Sequence, residues 1–343
     1  MFKHFIYYNN IFLYIKLLII YDIIMINIAF WSNQLGERGT EIAMYDYAYY
    51  NQTILRNKSY IFYEKNNENN NADVINKFAR YFQIVGVDNF SNVDNYLIEN
   101  NIKIIYIIKS GHNDGRLSNV AKNIVHCVFT CNEPHGDVYC AVSDWVKNNK
   151  RGNISANKIL TLPHIVSLPE HNKNMREELS IPVDAKVFGR HEGYNTFNIN
   201  VVKNAVYEIA LNNKDIYFLF LNTEEFCGKL PNIIHLDAII DLDDKRKFIN
   251  TCDGMLWARS DGETFGLSIA EFSICNKPII ACKTGDLAHV EILKDKGMWY
   301  KNIQELKKLI INFKIDKTVD YNLYRDYAPE KIMKIFENII LST

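Results

Sequence analysis

Neither sign of charge prevails in this chain: 39 Lys and Arg stand against 40 Asp and Glu, a formal net charge of -1. No basic run is present that would track a phosphate backbone, so nucleic acid is not expected as a partner. Cysteine is sparse and odd in number, seven in 343 residues. With no Cys-x-x-Cys knuckle, the seven read as reduced, buried thiols of a cytoplasmic protein and not as a disulfide framework. His126, Cys127, Cys131 and His135 crowd together in "HCVFTCNEPH", yet no second ligand pair accompanies them, and packing is favoured over a zinc site. The Gly-x-Gly-x-x-Gly fingerprint is missing, which argues against a dehydrogenase. A membrane-crossing run is missing too. The apolar stretch from Ile11 to Ile24 is broken by Lys16 and Asp22 and falls short of the roughly 20 residues a bilayer needs. No small-residue cleavage site follows it. Residues 1–24 are therefore expected to be an N-terminal extension, with weak contact to a membrane surface as the alternative.

What is present is an ordinary globular composition, 48% hydrophobic and 23% charged, over about twice the length of a usual domain. From Met25 onward short apolar runs alternate with helical segments. "INIAFWS", "SYIFYE", "QIVGV" and "IKIIYIIKSG" read as strands of one half, and "AKVFGRH", "IYFLFLNTE", "GMLWAR" and "PIIACKTG" as strands of a second. Between them, "KILTLPHIVSLPEHN" (158–172) carries two of the seven prolines and marks a linker. Such alternation predicts an α/β protein with parallel sheets covered on both faces. The expected division is an extension over 1–24, a Rossmann-like domain over 25–165, a second over 166–320 and a C-terminal helix over 321–343. Ligands of such sheets bind at the carboxyl ends of the strands, so two halves would face a central cleft.

The stretch "SDGETFGLSIAEF" (260–272) sits at a strand-to-helix junction of the second half. Glu263 falls in the loop, and the N–H groups of Thr264, Phe265, Gly266 and Leu267 open the helix, where an anion is favoured. Glu271 lies about 8–9 Å farther along the helix axis. One ligand made of polyol, diphosphate and polyol could bridge both carboxylates. A nucleotide sugar has that composition.

At this point "GETFGLSIAE" resembles the Glu, seven residues, Glu motif of retaining glycosyltransferases with the GT-B fold, most like family 4. "GRHEGY" is similar to that family's Gly-Arg turn, "GERGTE" to its first glycine-bearing loop, and "YCAVSDW" to the end of its first domain. The resemblance implies a GT-B fold and a donor sugar contacted by Glu263. It further implies a diphosphate held by Arg190 and the amides of residues 264–267, ribose held by Glu271, and Gly39 beneath the ligands. It also implies a first-half histidine on the donor, with His126 and His135 as candidates and His135 preferred because it follows a strand. One departure stands out: the family's Lys beyond the Gly-Arg turn is absent, which leaves diphosphate neutralisation either to Arg190 and the helix terminus or to Lys203 or Lys109. Asp243-Asp244 reads as a helix start, so no metal is expected, and no cofactor beyond the nucleoside diphosphate sugar donor. The acceptor is an undefined glycan, lipid or protein. A nucleotide-sugar epimerase on the same fold and a non-catalytic nucleotide-sugar-binding protein are the rivals.

Overall fold

A computed structural model describes residues 25–342; the expected extension over 1–24 lies outside the described residues. The first sheet is wholly parallel, with strands β1 (Asn27–Ser32), β2 (Lys58–Glu64), β3 (Gln83–Val87), β4 (Ile104–Lys109), β5 (Lys122–Cys127), β6 (Val138–Ala141) and β7 (Leu160–Thr161) in spatial order β3-β2-β1-β4-β5-β6-β7. Side chains alternate between its faces, as strand geometry requires. Phe30 and Tyr106 pack under helix α1 (Gly39–Thr53) with Met44 and Tyr47, while their neighbours Ala29, Trp31, Ile105 and Ile107 join Val93 and Leu97 on the opposite face. Both faces being covered, the strands read as unbroken apolar runs. Helices α2 (Ala72–Ala79), α3 (Val93–Glu99) and α4 (Asp144–Asn149) complete this unit.

The second sheet repeats the scheme. Strands β8 (Lys186–His191), β9 (Ile216–Leu221), β10 (Ile233–Leu236), β11 (Gly254–Leu256), β13 (Ile279–Ala281) and β15 (Met298–Trp299) lie in order β10-β9-β8-β11-β13-β15, and β12 (Gly262–Glu263) pairs separately with β14 (Asp286–Leu287). Helices α5 (Asn200–Asn212), α6 (Leu242–Thr251), α7 (Leu267–Ile274), α8 (Ala288–Leu293) and α9 (Ile303–Ile311) surround it. In both sheets the order reverses at the centre, between β1 and β4 and between β8 and β11. A crevice opens at that reversal, at the strands' carboxyl ends.

The units touch through specific bonds. Ser143 Oγ donates to the Thr264 carbonyl at 2.5 Å, Trp145 Nε1 to Asp286 at 3.3 Å, and Lys77 Nζ to the Ile240 carbonyl at 3.2 Å. The final helix, α10 (Pro329–Leu341), starts later than the expected segment and returns to the first unit. Its Phe336 ring lies 5.1 Å from Tyr47 and 5.7 Å from Tyr106. Lys122 Nζ donates to the carbonyls of Ile339 and Ile340, at 3.1 and 3.2 Å, supplying a cation where a helix C-terminus favours one. Among the described residues, no helix is long and apolar enough to cross a membrane.

Candidate functional site

Two adjoining cavities occupy the crevice, one of about 650 Å³ and one of about 440 Å³. Arg38, Gly39, Glu41, Arg259, Glu263 and Leu267 border both. The loop that carries Glu263 is fixed tightly. Gly262 adopts φ of +73°, and a Cβ there would stand 2.1 Å from the Asp286 backbone nitrogen, so only glycine lets β12 lie against β14. Thr284 Oγ1 donates to the Arg259 carbonyl at 2.9 Å, and Trp257 Nε1 donates to Glu263 Oε1 at 2.9 Å. Gly266, at φ +84°, turns the chain into α7.

The two glutamates stand in opposite electrostatic states. Glu271 is buried on α7, with Lys245 Nζ 3.1 Å from one oxygen and His191 Nε2 3.0 Å from the other. Burial by itself would raise its pKa, but Lys245 and His191 outweigh burial and hold it at about 2. Glu271 therefore stays ionised. Glu263 is buried as well, and burial, reinforced by the neighbouring Glu192 carboxylate, pushes its pKa up to about 8 against the pull of Arg259, Trp257 and Arg190. Because that value lies above the ordinary 4.5, the folded chain holds a proton that the unfolded chain releases. Glu263 thus contributes stability below pH 4.5 and loses it as pH rises towards about 8. Glu263→Gln, which cannot ionise, should flatten the fall in urea midpoint across that window; an unchanged slope would remove Glu263 as its source.

The expected donor residues divide between the cavities and the interior. Glu263 and Leu267 border both cavities, Glu271 lines the larger one, and Thr264, Phe265 and Gly266 line the smaller. Gly39 opens α1 at the border of both. Arg190 is elsewhere: its side chain is fully buried below the crevice floor and lines neither cavity. Its guanidinium is taken up by Thr223 Oγ1 at 2.7 Å, Glu192 Oε2 at 2.8 Å and Thr196 Oγ1 at 2.5 Å, and it lies over the Phe197 ring. Thr196, in the segment where a Lys was missing, is one of its partners. Lys203 rests 5.9 Å from the Phe226 ring and also lines neither cavity. Lys109 borders the smaller cavity but is bound to Asp114 at 2.6 Å.

Of the two histidines, His126 is completely buried in β5, with Nδ1 2.5 Å from the Tyr106 hydroxyl. His135 is also buried, its Nδ1 2.6 Å from the Glu133 carbonyl and its ring 5.3 Å from Tyr139, and it reaches neither cavity. Cys127 and Cys131 are buried free thiols, with pKa values pushed by burial up to about 12 and about 11. Asp241 caps α6 by accepting from the Asp244 N–H at 3.1 Å.

Four residues at the site escaped the sequence reading. Glu192, just past β8, accepts from Ser268 Oγ at 2.9 Å and so brings a carboxylate to the mouth of α7. Lys245 reaches Glu271 from α6. Glu41 enters from α1 through a short Gly-containing loop. Arg259 follows β11 and sets NH1 3.8 Å from Glu263 Oε1; four positions before the motif glutamate, at the end of an apolar run, it carried a signal that was overlooked.

Two facing Rossmann-like sheets with a cleft at their carboxyl ends make this a GT-B fold. Solved structures share it over nearly their whole length. A glycosyltransferase from Rickettsia africae ESF-5 is 13% identical with a TM-score of 0.68, covering 93% of this chain and 100% of that one. HepE of Anabaena, solved with UDP-glucose, is 13% identical with a TM-score of 0.69 over 92% of this chain and 99% of its own. A UDP-N-acetylglucosamine 2-epimerase also aligns, at 12% identity and a TM-score of 0.59 over 92% and 95% of the two chains. No protein-family model and no curated protein matches the chain.

Proposed function

We propose that this chain is a glycosyltransferase that moves a sugar from a nucleoside diphosphate sugar to an acceptor hydroxyl with retention at the anomeric carbon. The observation that carries this reading is the pair Glu263 and Glu271, both buried at one cleft on either side of the α7 N-terminus. In this reading the sugar meets Glu263, the diphosphate meets the α7 amides, and the ribose hydroxyls meet Glu271. The HepE complex with UDP-glucose supports a nucleotide-sugar donor on this fold.

Because the Arg190 side chain is fully buried, is bound to three side chains and borders neither cavity, we assign the cation opposite the diphosphate to Arg259. It borders both cavities, and its Nε is buried without a hydrogen-bond partner. The step that follows is substitution on one face. The acceptor oxygen bonds to the anomeric carbon as the bond from that carbon to the phosphate oxygen breaks, and that phosphate oxygen takes the acceptor proton. Arg259 and the α7 amides stabilise the charge that develops on the leaving group.

A thermal-shift panel of UDP-, GDP- and ADP-sugars tests the donor, and stabilisation by none of them would sink the proposal. Arg259→Ala should weaken binding of the selected nucleoside diphosphate about tenfold or more; unchanged affinity by calorimetry would return the diphosphate to other groups. The epimerase likeness keeps a second reading in view, which conversion of the donor sugar to its epimer without any acceptor would favour.

A further inference from the structure

The smaller cavity contains polar groups that donor binding leaves unused. Glu41, 3% exposed, accepts from the Ser32 and Thr40 hydroxyls at 3.0 Å, both through Oε1, while Oε2 has no partner. His164, 7% exposed and held between His126 and Phe265, has an Nδ1 without a partner. Buried polar atoms are rarely left unpaired, and two at one cavity point to a ligand that completes them. At the same cavity the Phe129 side chain stands 53% exposed, offering an aromatic face beside the polar groups.

The charges around this cavity restrict what that ligand can be. Lys109 is committed to Asp114 at 2.6 Å and Lys150 to Asp286 at 2.7 Å, and Arg259 is assigned above to the donor diphosphate. Arg38 is left, at the exposed rim. With the donor diphosphate bound, a second phosphate or carboxylate entering here would face carboxylates with no uncommitted buried cation to receive it. A hydrocarbon chain would lie against Ser110 and Glu41 and leave Glu41 Oε2 unpaired. A volume of about 440 Å³ with one aromatic face and a few convergent polar groups suits a small polar ligand.

We infer, resting on the transferase reading, that the acceptor is an uncharged sugar whose ring lies on Phe129 and whose hydroxyls complete Glu41 and His164. The test is calorimetry on the full chain, titrated first with each nucleoside diphosphate. It is then titrated with uncharged p-nitrophenyl glycosides and, separately, with a polyprenyl phosphate in detergent micelles. Glycosides should bind, and Phe129→Ala and Glu41→Gln should each weaken that binding about tenfold, with nucleotide affinity serving as the control for folding. Equal glycoside affinity in both variants, no glycoside binding by a chain that binds nucleotide, or binding of the polyprenyl phosphate alone would overturn the inference. A chain that binds no nucleotide yet shows Phe129-dependent glycoside binding sinks the transferase reading and leaves the cavity assignment standing. Binding of neither ligand sinks both.

Discussion

Glu263→Ala should lower transfer by about 10²-fold or more, the cost typical of removing one contact at the atom where charge develops. Affinity for free nucleoside diphosphate should hardly change, because that ligand has no sugar at the Glu263 position. Glu271→Ala should behave otherwise. Its carboxylate is assigned to ribose, which free nucleotide and sugar donor share, so both should bind more weakly. The same change also strips Lys245 and His191 of their common partner, and a fall in melting temperature should accompany it. Titration of both variants with the nucleotide, together with initial rates from the best donor, separates the roles. Equal effects on nucleotide affinity, or full activity in Glu263→Ala, would reduce the two residues to carboxylates that merely decorate a helix start.

Arg190→Ala should unfold the second unit far more readily than it disturbs the ligand. Glu192 would be left with a buried charge and no guanidinium, and breaking a buried ion pair by removing one partner costs about 3–5 kcal/mol. Thr223 and Thr196 would lose an acceptor-seeking partner at the same time. The double change Arg190→Met with Glu192→Gln removes both charges together and should recover much of the loss. A denaturant titration reads both variants. If Arg190→Ala kept wild-type stability and lost nucleotide affinity instead, the guanidinium would belong to the diphosphate and would have to leave its present partners to reach it.

The alternation of strands and helices was legible because parallel strands covered on both faces must be apolar throughout, and "IKIIYIIK" admits little else. Glu263 and Glu271 were legible because a glycine-containing loop followed by a helix fixes where each falls. The placement of Arg190 away from both cavities was not legible for a physical reason: nothing in "GRHEGY" says that Glu192, two residues later, folds back to claim the guanidinium. The placement of His135 was hidden likewise, since a loop at a strand end can turn inward, and Tyr139 and the Glu133 carbonyl draw this ring down. Lys245 and Glu41 become significant only when separate elements converge. Their proximity to one ligand position is a property of the tertiary fold, and a local motif cannot contain it.

The return of α10 to the first unit bears on how the chain can assemble and bend. The Val166 N–H donates to the Tyr327 carbonyl at 2.9 Å, so the outgoing and returning segments run side by side as a double tether. Two linked crossings oppose rotation of one unit against the other more than a single crossing would. The first unit is also discontinuous. Phe30, Tyr47 and Tyr106 stay uncovered until Phe336 arrives, and that residue follows the whole second unit in sequence. The second unit can reach its native packing while the first still waits for its last helix.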